Sequence, residues 1–525
     1  MRGARAEGGG APAWGGAGGI RYTPAMPTVR TLWVALALGA AGGPAGADGV
    51  RIVTWNVSLY AGGRVGAIHT SVYGEFAGRS LAPDAILLQE MVSAGAVEQL
   101  VAGLNSAPGS PGDWAMAPFV DGNDSDNCLV YRTSKLGLMD AVVVARGGPA
   151  PNHPRDVNRY DVRLAGYASD EGVISLYSSH MKAGSSGSDQ ERRLLEAGRI
   201  REDAAGLPAG RHFVLGGDLN IQSSDQDAYQ ELVGPGDGLG RFGDPIGTPG
   251  EWNNDRAFRF VHTQDPAGAG GMDDRHDQLL ISATLADQDG CEYAGAAGAP
   301  FSTETWDDPA HSYRVWGNDG SSFDLELRSE GNTMVGPEIA DALKAMCAGS
   351  GHLPVLLEVR VPARAAADGV VDFGVVIAGE PASATLTVGN GGDAALWGER
   401  GIGELRYTLE APRPFAVNAG PHEDGAGGTL NAHEVRLDTA EPGVFEAALL
   451  VRSNDPEARV LEVVVRAEVV GACGGDWDGD GAINTLDVLA FLNDWSSRDP
   501  RADLDGDGEV NTLDVLRFLN LWTGC

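Results

Sequence analysis

Near its C-terminus the chain repeats itself: DWDGDGAINTLDVLAFLNDW begins at Asp476 and DLDGDGEVNTLDVLRFLNLW at Asp503. Three aspartates at alternate positions around a glycine cannot be buried as they stand, because each carboxylate needs a counter-charge. Such a spacing suits a hard cation, which takes several oxygen ligands from one tight loop. The first copy offers Asp476, Asp478 and Asp480 at loop positions one, three and five. Gly481 makes the bend, the Ala482 carbonyl turns inward, Asn484 takes position nine and Asp487 position twelve. The second copy offers Asp503, Asp505, Asp507, Gly508, the Glu509 carbonyl, Asn511 and Asp514. Two calcium sites are therefore expected. Position twelve is Asp where signalling loops carry Glu, so a helix-opening sensor is not expected. The apolar helix after each loop should pack or dock.

The remainder of the 525 residues has room for about two more domains. Residues 365–470 alternate apolar and polar residues between turn signals at Asn390-Gly391-Gly392 and Asn454-Asp455-Pro456, with no helical period. An all-β, immunoglobulin-like sandwich acting as a spacer is expected there. Residues 48–362 behave differently. Their apolar runs finish in polar residues: RIVTWN at Asn56, DAILLQE at Glu90, VISLYSSH at His180 and HFVLGGDLN at Asp218 and Asn220, while HDQLLIS opens with Asp277 near its start. Buried strands with polar ends predict a site on one rim of a sheet core, in an α/β or α+β layered domain. On a strand, Asp218 and Asn220 would share a face, and Gly216 and Gly217 would admit a close neighbour. SDQERRLLEAGRIRED reads as a helix opened by a capping box of Ser188 and Glu191, with Leu195 and Ile200 toward the core.

The formal net charge is −35. A polyanion is not held by so acidic a chain through bulk attraction, so contact with nucleic acid needs a local basic patch or metal ions. Lys182, Arg192 and Arg193 are the candidates for such a groove, with a solvated helix face as the other reading. Residues 1–47 read as a leader. Met26 is the expected start, Arg30 the positive flank, Leu32 to Ala41 the apolar stretch, and Ala45-Gly46-Ala47 a small-residue cleavage site before Asp48. Export, to the medium or the cell surface, follows, and the five cysteines suit an oxidising compartment. Cys473 with Cys525 is the expected disulfide; Cys291 with Cys347 is a second pairing, leaving Cys128 free.

TWNV, LLQE, SSHMKAG, GGDLNI, DDRHDQLL and GHLPV occur in the order found in the endonuclease/exonuclease/phosphatase family, which includes deoxyribonuclease I. Residues 48–362 resemble that family. The resemblance implies an α/β four-layer sandwich, two mixed sheets between helices, and metal-dependent hydrolysis of phosphodiesters, nucleic acid first among them. It implies that Glu90 ligates Mg2+ or Mn2+ with Asn56 beside it, and that His180 contacts the phosphate. Asp218 would orient or activate water, Asn220 would hold a transition-state oxygen, and Asp277 would brace His352. A lipid phosphodiesterase of the same family is the alternative. The family's Ser-Asp-His is here Ser350-Gly351-His352. That loss of a carboxylate admits weakened activity, or a non-catalytic surface-assembly role, unless Asp273 and Asp274 compensate. Residues 301–323 form the expected specificity loop. Residues 473–525 resemble dockerin modules, small α EF-hand-type units, which implies two Ca2+ ions and a cohesin-like receptor, often within a polysaccharide-degrading system.

Overall fold

The computed structural model describes residues 48–234, 238–268, 270–471 and 473–524. The expected leader and its cleavage site lie outside the described residues.

Six strands carry the candidate site. β1 (Val50–Tyr60) and β2 (Ala85–Met91) pair in parallel, as do β3 (Val173–His180) and β4 (His212–Asp218). β5 (Asp277–Ser282) runs antiparallel to β4, and β6 (Val355–Arg360) antiparallel to β1. β3 and β4 are buried along their whole length and β2 nearly so. That is why their sequences are near-continuous apolar runs, not alternating ones. One sheet, of seven strands, orders Glu292–Tyr293, β6, β1, β2, Asp126–Arg132 and Trp114–Met116, with Arg314–Val315 beside β6. The other, of six, orders Leu136–Ala145, Val157–Leu164, β3, β4, β5 and Phe242–Gly243.

The sheets meet face to face through Thr54 and Leu87 on one side and Leu176, Val214 and Leu279 on the other. Gly216 makes the close approach possible: a Cβ there would come within 2.7 Å of Leu87 Cδ1 and 3.1 Å of Thr54 Cβ. Helices close both outer faces. α1 (Gly187–Ala205) lays Ala197, Ile200 and Ala204 on Leu215 and Leu280 of the six-stranded sheet. α2 (Gly336–Ala345) packs Ile339 and Leu343 into the core of the seven-stranded one. Two sheets between helices make the deoxyribonuclease I-like four-layer sandwich. The cap of α1 differs from the sequence expectation. Ser186 caps it, in a capping box with Asp189, and Ser188 and Glu191 lie inside the helix. The same Ser-x-x-acid spacing occurs twice in SSGSDQE, and the earlier copy wins. Ile200 is buried, Leu195 only partly so.

Residues 365–470 form two further sheets, of four and five strands, around Leu386, Val435, Leu449 and Val463. One turn of helix, Ala394–Trp397, interrupts the expected all-strand pattern. This part is docked on the first domain. Trp397 is 1% exposed and joins the first domain's core, with its carbonyl accepting the Gly49 N–H at 2.6 Å. The Glu457 carboxylate accepts the Ala168 and Ser169 N–H groups. A freely tethered spacer would make none of these contacts.

At the C-terminus α3 (Thr485–Ser497) and α4 (Thr512–Gly524) follow the two acidic loops. Phe491 and Phe518, one from each repeat, stack at 4.2 Å between ring centroids. Cys473 is disulfide-bonded; its expected partner Cys525 lies outside the described residues. The expected Cys291–Cys347 bridge does not form, for both thiols are free. Cys291 is buried against the Glu171 carbonyl, and Cys347 against the Leu343 carbonyl at the end of α2. Among the described residues no helix is long and apolar enough to cross a membrane.

Candidate active site

The strand ends bring the expected side chains together. Asn56 donates from Nδ2 to Glu90 Oε1 and to Asp218 Oδ2, each at 3.1 Å, and so links the two sheets. Its Oδ1 accepts the Ser58 N–H at 3.0 Å, which holds the amide in this orientation. His180 Nε2 lies 3.2 Å, and His352 Nε2 3.6 Å, from Asp218 Oδ2. His352 Nδ1 lies 2.8 Å from Asp277 Oδ2, and His180 Nδ1 lies 4.0 Å from Glu90 Oε1. Glu90, Asn56, Asp218, His352 and Asp277 thus form one continuous chain of polar contacts. The register explains it: His180 pairs with Asp218 across β3 and β4, and Asp218 with Asp277 across β4 and β5.

Backbone strain aims two of these groups. Glu90 has φ +61°, and its Oε2 accepts the Leu59 N–H at 2.9 Å, from a stretch that is itself left-handed at Ser58 and Leu59. Asn220 has φ +51° and lies beyond the end of β4, so strand alternation with Asp218 does not place it. A left-handed turn does: its N–H donates to Asp218 Oδ1 at 3.2 Å, and its Nδ2 to the Met181 carbonyl at 3.2 Å. Such conformations cost on the order of 1–3 kcal/mol each and persist only where the surroundings dictate them. Gly217, one residue before Asp218, leaves no room for a side chain, since a Cβ would lie 1.9 Å from the Ser179 carbonyl oxygen.

The electrostatics divide the histidines. Burial pushes His180 down to about 4, so it is neutral near pH 7. Burial also opposes charge on His352, but the Asp277 and Asp218 carboxylates outweigh it and push that ring up to about 10. Burial works against Asp218 ionising as well; the neighbouring histidines and the Asn56 amide overcome it, and the carboxyl sits below its ordinary range. The site therefore sets an imidazolium at His352, a carboxylate at Asp218 and a neutral ring at His180 around one point.

The donor set suits a hard divalent cation, which prefers carboxylate and amide oxygens. Glu90 keeps 20% of its side chain open at the rim, next to the Asn56 amide. Glu90 is the residue that could hold it; Asn56, expected as a second ligand, stands beside it but turns Nδ2 toward Glu90 while its Oδ1 accepts the Ser58 N–H.

Several other expectations change. Arg193 is fully buried and donates to the Lys182 and Gly184 carbonyls. Lys182 is ion-paired with Asp189 at 3.1 Å, and Arg192 donates to the Asn152 carbonyl. Lys182 and Arg193 brace the loop before α1 and Arg192 ties α1 to Asn152, so each is committed to the protein's own groups. Among the aromatics of residues 301–323, Phe301, Tyr313 and Trp316 are buried core residues, and Trp306 packs with Arg79. Gly351 has φ +71°, and a Cβ there would lie 2.1 Å from Cys347 Sγ. The backbone itself excludes the carboxylate that the resemblance would place there. Asp274 is pushed up to about 7 by burial and by the charges of Asp273 and Asp265.

His276, Gln264 and Asn253 were not singled out from sequence, yet they border the site next to Asn220. No sequence signal placed them: His276 lies before the first residue of β5, where strand alternation does not reach.

The profile of the endonuclease/exonuclease/phosphatase family matches residues 53–297, and that of the dockerin type I domain residues 474–520. The first segment is an endonuclease/exonuclease/phosphatase domain, and the last a dockerin. No curated protein matches the chain. Three solved structures are similar to it. Beta toxin from Staphylococcus aureus shares 12% identity at TM-score 0.35, covering 59% of this chain and 99% of that one. Truncated TDP2 from Caenorhabditis elegans shares 16% at 0.35, covering 59% and 96%. The human Nocturnin catalytic domain with bound sulfate shares 12% at 0.35, covering 60% and 96%.

In the dockerin, carboxylate oxygens of Asp476, Asp478 and Asp487 lie within 4.8 Å of one another, as do those of Asp503, Asp505 and Asp507. Asp480 falls outside the first cluster and Asp514 outside the second. Asp514 Oδ1 accepts the Leu504 and Asp505 N–H groups, as Asp487 Oδ1, inside the first cluster, accepts those of Trp477 and Asp478. Asn484 and Asn511 act as helix caps, their Oδ1 atoms accepting the Leu486 and Leu513 N–H groups.

Proposed function

We propose that the endonuclease/exonuclease/phosphatase domain is an exported, metal-dependent phosphodiesterase, and that the dockerin attaches it to a cohesin-like receptor through a calcium-loaded fold. One observation carries the catalytic reading: Asp218 Oδ2 lies between Nε2 of a neutral His180 and Nε2 of a charged His352, with Asn56 bridging to Glu90.

A cation held by Glu90 beside Asn56 would supply neutralising charge to the phosphate. The protein's own groups do the rest. Asp218 orients the attacking water; a carboxyl so easily ionised is a weak base, so direction matters more than proton storage. The His352 imidazolium donates from Nε2 toward a phosphoryl oxygen while Asp277 holds Nδ1. His180, neutral, spends its one N–H on Asp218 through Nε2 and so helps to fix that carboxylate. Asn220 keeps one amide hydrogen for an oxygen of the transition state.

Nucleic acid is the substrate class that the motifs favour. The commitment of Lys182, Arg192 and Arg193 to the protein's own groups favours a second reading, a small phosphodiester that needs no basic groove. Hydrolysis of bis(p-nitrophenyl) phosphate by the full chain with magnesium, manganese or calcium tests the activity. Glu90→Gln and Asp218→Asn should each lower kcat at least about 100-fold, the scale of losing a positioned catalytic group. Wild-type protein inert toward this ester, DNA and RNA under all three ions would end the reading.

A further inference from the structure

Beside Asn220 the rim opens into a cleft of about 760 Å3, bordered by Gln222, Asn253, Gln264 and His276. Its buried polar atoms lack protein partners. Both ring nitrogens of His276, Asn253 Oδ1 and Gln264 Oε1 make no hydrogen bond, and His276 is only 7% exposed. A buried polar group left without a partner is costly. Each of the four lies just beneath the cleft wall, so a ligand must shift the wall side chains to reach it; gathered at one cleft, they mark where hydrogen-bonding partners are wanted. The backbone sets His276 firmly: its carbonyl accepts the Leu219 N–H at 2.8 Å, and the next residue is Asp277. Gln264 bridges across the backbone to His352. The cleft thus adjoins the phosphate end of the site.

Its chemistry is selective. Among the described residues no lysine or arginine borders it, and its charged residues are Asp225, Asp227 and Glu251. A second phosphate would be repelled. An acyl chain would bury the amides without partners. Burial pushes His276 down to about 4, so near pH 7 it offers one donor and one acceptor, as the carboxamides do. We infer that this cleft receives an uncharged hydroxylated ring carried by the scissile phosphate, a sugar whether free or within a nucleoside.

The inference rests on the phosphodiesterase reading but is tested by binding as well as turnover. Calorimetry on the full chain compares thymidine 5′-phosphate and glucose 6-phosphate with inorganic phosphate; the two sugar phosphates separate the nucleoside from the free-sugar source. At least one should bind about tenfold more tightly than phosphate, and His276→Leu and Gln264→Leu should each cut that advantage fivefold or more. Equal affinity for all three ligands, or an advantage unchanged in whichever variant keeps the wild-type melting curve, would overturn it. Turnover is read as the ratio of kcat/KM for thymidine 5′-p-nitrophenyl phosphate to that for bis(p-nitrophenyl) phosphate. Sugar-selective binding without turnover keeps the cleft and removes the phosphodiesterase; turnover with neither binding advantage nor raised ratio does the reverse.

Discussion

His352 Nδ1 sits 2.8 Å from Asp277 Oδ2, and this contact sets the charge of a ring whose other nitrogen faces Asp218. Asp277→Asn keeps a hydrogen-bond acceptor and removes the charge. Without it, burial is opposed chiefly by the Asp218 charge, and the His352 ring, now pushed up to about 10, should titrate below pH 8. Nuclear magnetic resonance of its ring nitrogens would show an imidazolium at pH 8 in the wild type and a neutral ring in the variant. Activity on bis(p-nitrophenyl) phosphate should drop about 100-fold at pH 8. A His352 ring charged alike in both proteins would refute the assignment.

Gly351 cannot simply be returned to aspartate. At φ +71° a side chain is strained, and the Cβ would collide with both Cys347 Sγ and Cβ, at 2.1 and 2.4 Å. Gly351→Asp should therefore destabilise the domain by about 2 kcal/mol or more and raise no activity. Urea unfolding followed by intrinsic fluorescence measures the first, ester turnover the second. A stable variant with higher turnover would mean that the missing carboxylate, not the local backbone, limits this enzyme.

Much of this architecture was legible in the sequence because chemistry and period coincided. LLQE, SSH and GGD each end an apolar run, so β2 to β4 and their polar tips could be read directly, whereas β1 runs on past Asn56 to Tyr60 through a register shift. The two acidic loops repeat almost residue for residue. What stayed hidden depended on the backbone or on distant partners. Asn220 reaches the site through a positive φ, which periodicity cannot reveal. Arg193 is charged yet fully buried, because two loop carbonyls accept from it. Trp397 belongs in sequence to the sandwich and in space to the first domain's core. His276 looked like a neighbour of a functional aspartate, and only the cleft shows which way it faces.

Glu196 gives a pH dependence of known sign. It is fully buried on α1, accepts the Ser179 hydroxyl at 2.6 Å, and burial pushes its carboxyl up to about 8 from an ordinary 4.5. A raised folded-state value means that the native protein keeps a proton which the unfolded chain has released. The stability so contributed is complete below pH 4.5 and is lost as pH rises through 8. Glu196→Gln does not titrate. Relative to that variant, the wild type should lose up to about 1.4 kcal/mol per pH unit between pH 4.5 and 8. Urea midpoints of both proteins at pH 5, 6.5 and 8 test this; parallel curves would show that Glu196 stays ionised in the fold.

The dockerin should need its cation to hold its shape. In each loop three carboxylates converge within 4.8 Å, an arrangement in which like charges repel unless a cation lies between them. The loops are tied directly to the module's small core: Asp487 Oδ1 holds the Trp477 N–H at 2.9 Å, and the Trp477 ring packs edge-on to Phe491 and Phe518 at 5.0 and 5.8 Å. Removing calcium with a chelator should loosen the first loop and carry Trp477 out of that aromatic cluster. In the isolated C-terminal segment this would appear as a red-shifted tryptophan emission and a loss of helical circular dichroism, both restored by calcium. Titration calorimetry should count two calcium ions, with Asp478→Ala and Asp505→Ala each removing about one. Emission and helix content indifferent to both chelator and calcium would show that the paired loops are held by their own hydrogen bonds, with no ion in either.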